Sequence, residues 1–318
     1  MGNIAFITEL PFNDNVSRDY PHMRTEFAQM CALKADHYNY KHISSIKQTY
    51  NHIILLISKS DSIRDWLYNT PDLVDNLRLV GKKIWFMQEA TAQIYHQFEL
   101  HHQIRHYNLL QEVDGILTEN KTDYNYFKGI VGSTKDIYTI PTLIIPDNFF
   151  KLRTVERKNK TMVGGNFTKW YAGFDSYLVA SEFNNHISIP KMRTVKNESD
   201  FVEILPHIQF NQWMYKLSEY KYGVHLMPNI TAGTFNLNCS FLGIPCIGYI
   251  DSDTQRICQP SLSVDKYDLQ SAINMAKMLK EDKEFYNHCS KEAIQNHDKY
   301  FSESVFLDYM NNTVLKSN

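Results

Sequence analysis

Three stretches of this 318-residue chain carry residue types that could do chemistry. The first is Thr231-Ala232-Gly233-Thr234, a small-residue loop ahead of the apolar segment Phe235 to Leu242. Backbone N–H groups at a helix start attract a diphosphate, helped by the helix dipole. Gly233 would allow close approach, and Thr234 would cap the helix or bond a phosphate oxygen. An ordinary capped helix would read the same way. The second stretch is Gly164-Gly165-Asn166-Phe167-Thr168-Lys169. A glycine pair lets the backbone approach a ligand, and Lys169 would neutralise a phosphate. The third is Glu89, directly after the apolar run Ile84 to Met87. A carboxylate at the end of a buried strand can have its pKa raised for work as a base. A solvated loop glutamate is the plain alternative. The loop from Thr8 to Tyr20 offers Asn13, Asp14 and Arg18, followed by Arg24, as groups that could bind an acceptor; Asp14 is a second catalytic carboxylate candidate. His102 and His106 stand one helical turn apart, a spacing that could hold a metal. No third ligand and no HExxH pattern accompanies them, so no metal site is expected.

These residues need elements to hold them. Asn3 to Ile7, His52 to Ile57, Lys83 to Met87, Gly115 to Thr118 and Asp136 to Ile140 read as strands. The unbroken apolar run of His52 to Ile57 fits a strand covered on both faces, as in a parallel sheet. Pro21 to Ala35, Asp61 to Tyr68, Pro71 to Val80, Tyr95 to Val113 and Lys121 to Ile130 read as helices between them. The alternation restarts after the charged stretch Lys151 to Lys160, which reads as a linker or domain boundary. In the second half, Gly243 is placed to end a helix and Pro245 to stiffen entry into the strand Pro245 to Tyr249. The polar loop Asp251-Ser252-Asp253 would then lie at that strand's carboxyl end. Alternating strands and helices argue for doubly wound α/β domains, over 1–150 and 160–300. The tail helix 301–318 is expected to pack back on the first.

Bulk properties bound the rest. Hydrophobic content of 43% and charged content of 21% are those of a folded globular chain. A formal net charge of -2 gives no general attraction for polyanions, which leaves only a local basic face. Five scattered cysteines with no CxxC spacing argue against a disulfide framework and for a reducing compartment. No signal peptide or membrane-spanning run is readable, so a cytoplasmic place is expected.

The order of elements in the second half (helix, strand Gly223 to Pro228, loop 231–234, helix, Gly-Ile-Pro-Cys-Ile) resembles the donor-binding domain of GT-B glycosyltransferases. The resemblance covers most of residues 160 to 297. It implies an α/β fold of two Rossmann-like doubly wound domains facing a cleft, and transfer of a sugar from a nucleotide donor, UDP-sugar above all, to a hydroxyl. No metal is expected, because the family steadies the leaving diphosphate with backbone amides and basic side chains. The donor ligands it implies are Gly164, Gly165, Lys169, His207, Gly233, Thr234, Asn236 and Asn238, with Leu205 to Gln209 against the base. Asn238 stands where the family usually carries an acid for the ribose hydroxyls, and Ile230 where retaining members carry another. The Gly-Gly-x-Phe pattern and Glu89 are similar to features of the phage DNA glucosyltransferases. That likeness implies hydroxymethylcytosine in double-stranded DNA as acceptor. A lipid or polysaccharide acceptor, a non-catalytic nucleotide-sugar binder and an epimerase of the same fold are the rivals.

Overall fold

The computed structural model describes residues 3–10, 15–58, 61–184, 186–191 and 197–316, the side chains of 61–64 aside. Two compact units divide the chain. The first is Met1–Arg18, Glu26–Pro141 and Phe306–Asn318, the second Asp19–Thr25 and Thr142–Val305.

The first unit runs β1 (Ile4–Thr8), α1 (Thr25–Leu33), β2 (Asp36–Asn39), β3 (Tyr50–Ile57), α2 (Asp61–Tyr68), α3 (Leu73–Arg78), β4 (Gly81–Gln88), α4 (Leu100–Glu112), β5 (Gly115–Thr118), α5 (Lys121–Val131) and β6 (Asp136–Thr139). Its six strands are all parallel, in the order β2-β1-β3-β4-β5-β6. Parallel pairing needs both faces covered. Accordingly Ile53 to Ile57 of β3 and Ile84 to Met87 of β4 are buried throughout. The strand β2, Asp-His-Tyr-Asn, escapes the apolar-run rule. It alternates buried and half-buried residues, and His37 is held there by Thr8 Oγ1 at 2.7 Å.

The second unit runs β7 (Lys158–Val163), α6 (Gly173–Ser181), β8 (His186–Pro190), β9 (Glu203–Leu205), α7 (Phe210–Ser218), β10 (Tyr220–His225), α8 (Thr234–Leu242), β11 (Cys246–Tyr249), α9 (Asp253–Cys258), β12 (Ser263–Val264), α10 (Leu269–Glu281) and α11 (Lys283–Tyr300); α12 (Glu303–Tyr309) follows, and from Phe306 onward the chain belongs to the first unit again. Its sheet is again all parallel, ordered β12-β11-β10-β7-β8-β9. The chain winds outward from β7 in one direction and from β10 in the other. The crevice at the carboxyl ends of β7 and β10 is therefore the topological switch point, where open α/β sheets bind ligands.

Several expectations are corrected. The charged stretch 151–160 is not a linker: it forms a turn at Phe150–Thr154 and enters β7, with Arg153 paired to Asp298 at 2.6 Å. The helix expected from Tyr95 to Val113 is broken. Ala92–Gln97 is a tight turn, Phe98 and Glu99 are extended, and α4 starts only at Leu100. Asp253 is not loop but the first residue of α9. Among the described residues no helix is long and apolar enough to cross a membrane.

Candidate active site

At the switch point of the second unit, β10 leads through a loop into α8. Gly233 is its N-cap, with φ +71°, and has no side chain with which to cap the helix. A Cβ at Gly233 would lie 1.9 Å from Thr254 Oγ1 and 2.8 Å from Ser252 Oγ. Only glycine fits here, by backbone angle and by space. Leu237 N–H makes the first bond back, to the Gly233 carbonyl at 3.0 Å. The N–H groups of the turn ahead of it have no intrahelical acceptor and form an anion-binding end. At the far end, Gly243, φ +71°, closes α8 with bonds from Gly243 N–H to Ser240 O (3.1 Å) and Ile244 N–H to Cys239 O (2.8 Å). The helix between is wholly buried from Phe235 to Leu242.

A pocket of about 340 Å³ opens beside this helix. Its walls are apolar and aromatic (Phe210, Trp213, Phe235, Leu205, Ile208), and Asn238 adds a buried amide. Gly164 belongs to the same wall; a Cβ there would press on the Phe235 ring at 2.5 Å. Arg24, Lys191 and His207 are exposed at the rim. Such a pocket suits a flat base, with cations placed for phosphate.

The expected donor residues divide on this geometry. Gly164, His207 and Asn238 line the pocket, and Gly233 and Thr234 form the adjoining helix start. Thr234 is the first helical residue and does not cap α8. Gly165 faces Tyr171 instead, 2.9 Å from where its Cβ would be. Lys169 is exposed and does not line the pocket. Asn236, expected among the donor ligands, does not line the pocket. It is 1% exposed; its Oδ1 meets His225 Nδ1 at 2.7 Å and its Nδ2 donates to Gln255 Oε1 at 2.6 Å. Gln255 Nε2 in turn donates to the Cys246 carbonyl at 2.9 Å. This amide chain ties β10, α8, α9 and β11 together. Burial holds His225 below the ordinary histidine pKa, so it stays neutral. Arg24, expected on the acceptor side, lies in this pocket within the second unit. The segment Asp19–Thr25 docks there through Phe210 N–H to the Pro21 carbonyl at 2.8 Å and Leu143 N–H to Thr25 Oγ1 at 2.9 Å.

In the first unit, Glu89 follows β4 and is half-buried, its N–H bound to the Ile57 carbonyl at 2.9 Å. The next residue, Ala90, has φ +83°. This left-handed backbone is held by Gln88 Nε2 donating to the Thr91 carbonyl (2.8 Å) and Ala92 N–H donating to Asp123 Oδ1 (2.9 Å). Glu119, after β5, went unnoticed in the sequence, although it follows its strand as Glu89 follows β4. Burial, then the charge of Glu26, push its carboxyl up to about 8; Glu89 and Asp123 add to the effect, and a bond from Gln29 opposes it. Arg18 is exposed in the first unit. Asn13 and Asp14 fall outside the described residues. His102 and His106 do not form a ligand pair: His106 is buried and stacked on Tyr95 at 3.5 Å, while His102 lies 3.5 Å from Asp65.

No family model matches the chain, and no curated protein matches it in sequence. Solved structures do match. An alpha-glucosyltransferase (AGT) in complex with UDP is similar with a TM-score of 0.68 at 9% identity, over 99% of this chain and 100% of that one. An alpha-glucosyltransferase in complex with UDP and a 13-mer DNA containing a HMU base gives 0.67 at 10% identity, over 99% and 100%. Anabaena Alr3699/HepE in complex with UDP and glucose gives 0.69 at 9% identity, over 99% of each chain. These neighbours are GT-B glycosyltransferases. With two all-parallel six-stranded sheets matched along its whole length, this chain has the GT-B fold, built of two Rossmann-like α/β units.

Proposed function

We propose that the chain is a glycosyltransferase that moves a sugar from a UDP-sugar to a hydroxyl acceptor. The observation that carries this reading is the switch-point pocket of the second unit, with the start of α8 at Gly233 beside it. The aromatic walls would hold uracil and Asn238 a ribose hydroxyl. The helix start would take the diphosphate, with Arg24 and Lys191 as its cations. No step in this scheme calls for a metal, since amides and cations stabilise the leaving diphosphate. Domain roles follow: residues 160–300, with Arg24, bind the donor, and the first unit serves the acceptor through Glu89 and Arg18. We favour hydroxymethylcytosine in double-stranded DNA as acceptor and a glucosyl- or arabinosyl-type transfer. The support is the likeness to an alpha-glucosyltransferase that holds DNA, over the full chain.

The experiment incubates purified protein with UDP- and GDP-sugars, with and without hydroxymethylcytosine-containing duplex DNA, and quantifies the nucleoside diphosphate released. DNA-dependent release from one UDP-sugar is expected. Release without DNA is transfer to water; it keeps the donor reading and turns the search for an acceptor to polysaccharides and lipids. Silence across the panel, with no thermal shift by UDP, defeats the donor reading.

A further inference from the structure

We infer that Glu119 accepts the acceptor's hydroxyl proton during transfer, held in place by Gln29 and flanked by Glu89. The inference rests on the transferase reading above.

Three carboxyl groups meet at the carboxyl edge of the first sheet: Glu119 after β5, Glu89 after β4, and Glu26 in the first turn of α1. Asp123 bears on them from α5, but its oxygens are taken by Ala92 N–H, Thr91 and Asn120. Gln29 is wholly buried and donates from Nε2 to Glu119 Oε1 at 3.1 Å and, more weakly, to the Pro141 carbonyl at 3.5 Å. The second oxygen of Glu119 has no hydrogen bond among the described residues. Glu119 also keeps a partly accessible surface, whereas Glu26 is buried.

A second observation points to what comes there. Two buried amide oxygens, Gln29 Oε1 and Gln88 Oε1, have no hydrogen-bond donor. Buried acceptors of this kind are costly unless something donates to them. These two amide oxygens call for donors, and hydroxyl groups are the ligand chemistry that supplies them. An alcohol acceptor and the hydroxyls of a sugar both qualify.

The acceptor O–H gives its proton to the Glu119 carboxylate as its oxygen bonds the anomeric carbon. The bond from that carbon to the β-phosphate oxygen breaks, and UDP leaves with the electron pair. Glu119 then returns the proton to water. Glu26, Glu89 and Asp123 are the like charges that face it, and they delay its ionisation to the mildly alkaline range. Activity should therefore rise with pH through about 8.

The test is the pH profile of UDP release from UDP-glucose, with hydroxymethylcytosine-containing duplex DNA or water as acceptor. Wild type, E119Q, E119D and E89Q are compared, and UDP affinity is read by calorimetry. E119Q should lose at least ~100-fold in kcat/KM together with the alkaline rise, while binding UDP as wild type does. E119D, which keeps a carboxyl, should retain a displaced rise. E89Q should shift the rise to lower pH, because a like charge is gone; a merely structural glutamate would show no such shift. An unchanged rise in E119Q overturns the inference and leaves the transferase reading intact. A wild type that neither binds UDP nor releases it overturns that reading, and the inference with it.

Discussion

At the carboxyl end of the second sheet the chain offers hydrogen-bond donors and apolar surface: the start of α8, Gly164 against Phe235, and Asn238. At the carboxyl end of the first sheet it offers acceptors: Glu26, Glu89 and Glu119, with the amide oxygens of Gln29 and Gln88. Both edges close the same kind of six-stranded parallel sheet. The topology fixes only where a ligand can come. The side chains and caps at that place decide whether an anion or an alcohol is welcome.

The sharpest way to break this contrast is at Gly233. In G233A the new Cβ would meet Thr254 Oγ1 at 1.9 Å, on a backbone at φ +71°. We expect loss of about 2 kcal/mol or more of stability and a fall in UDP affinity of at least tenfold. Adding T254A should return part of the stability, because it removes the nearest atom and leaves the backbone strain. Calorimetric UDP titration and urea unfolding of the single and double variants measure both. A G233A protein that binds UDP as tightly as wild type would remove the helix start from the donor site.

The next effect belongs to the acidic edge. The Glu119 carboxyl is raised from 4.5 to about 8 in the folded state. A group raised on folding contributes stability fully present below its unfolded pKa and lost as pH rises through its folded pKa. The fold should therefore weaken between about pH 4.5 and 8 by several kcal/mol, within the range given by that shift. E119Q should flatten the slope of unfolding free energy against pH across this window. Unfolding at several pH values gives the slope directly, and an unaltered one would mean that Glu119 ionises normally.

Much of this was legible in the sequence, and what was not has physical reasons. The apolar runs of β3 and β4 announced a sheet covered on both faces, and Gly243 and Pro245 announced the end of α8. The short strands β2 and β9 were missed because they run over only four and three residues, too few for a pattern of polar and apolar positions to stand out from loop. The docking of Asp19–Thr25 into the second unit was invisible because its partners, Phe210 and Leu143, are far along the chain. Glu119 could have been found by the rule that selected Glu89, a carboxylate right after a buried strand. The two asparagines could not have been told apart: nothing in Thr-Phe-Asn-Leu-Asn says which faces His225 and which lines the pocket.

Asn236 therefore gives a sharper test of the donor edge. Its amide is committed to His225 and Gln255, both in the interior. N236A leaves those groups unsatisfied, and a cost of about 1–3 kcal/mol is expected. UDP affinity should change less than in N238A, whose side chain lines the pocket. The reverse ranking would make Asn236 the ligand and Asn238 the support.

The smallest effect is expected at Ala90, where the acidic edge holds its own strain. A φ of +83° is unfavourable for any residue with a Cβ. Gln88, Thr91 and Asp123 enforce it from three sides, and the strained peptide sets the direction in which Glu89 leaves β4. Replacing Ala90 by glycine removes the penalty in the folded chain but frees the unfolded one. The net gain should be no more than about 1 kcal/mol. A90G should thus melt at the wild-type temperature or a few degrees above it. If the angle matters for the glutamates, the alkaline rise in UDP release should persist in A90G but begin at slightly lower pH, since Glu89 is held less firmly beside Glu119. The donor edge should not respond, and UDP affinity measured on the same protein provides that control.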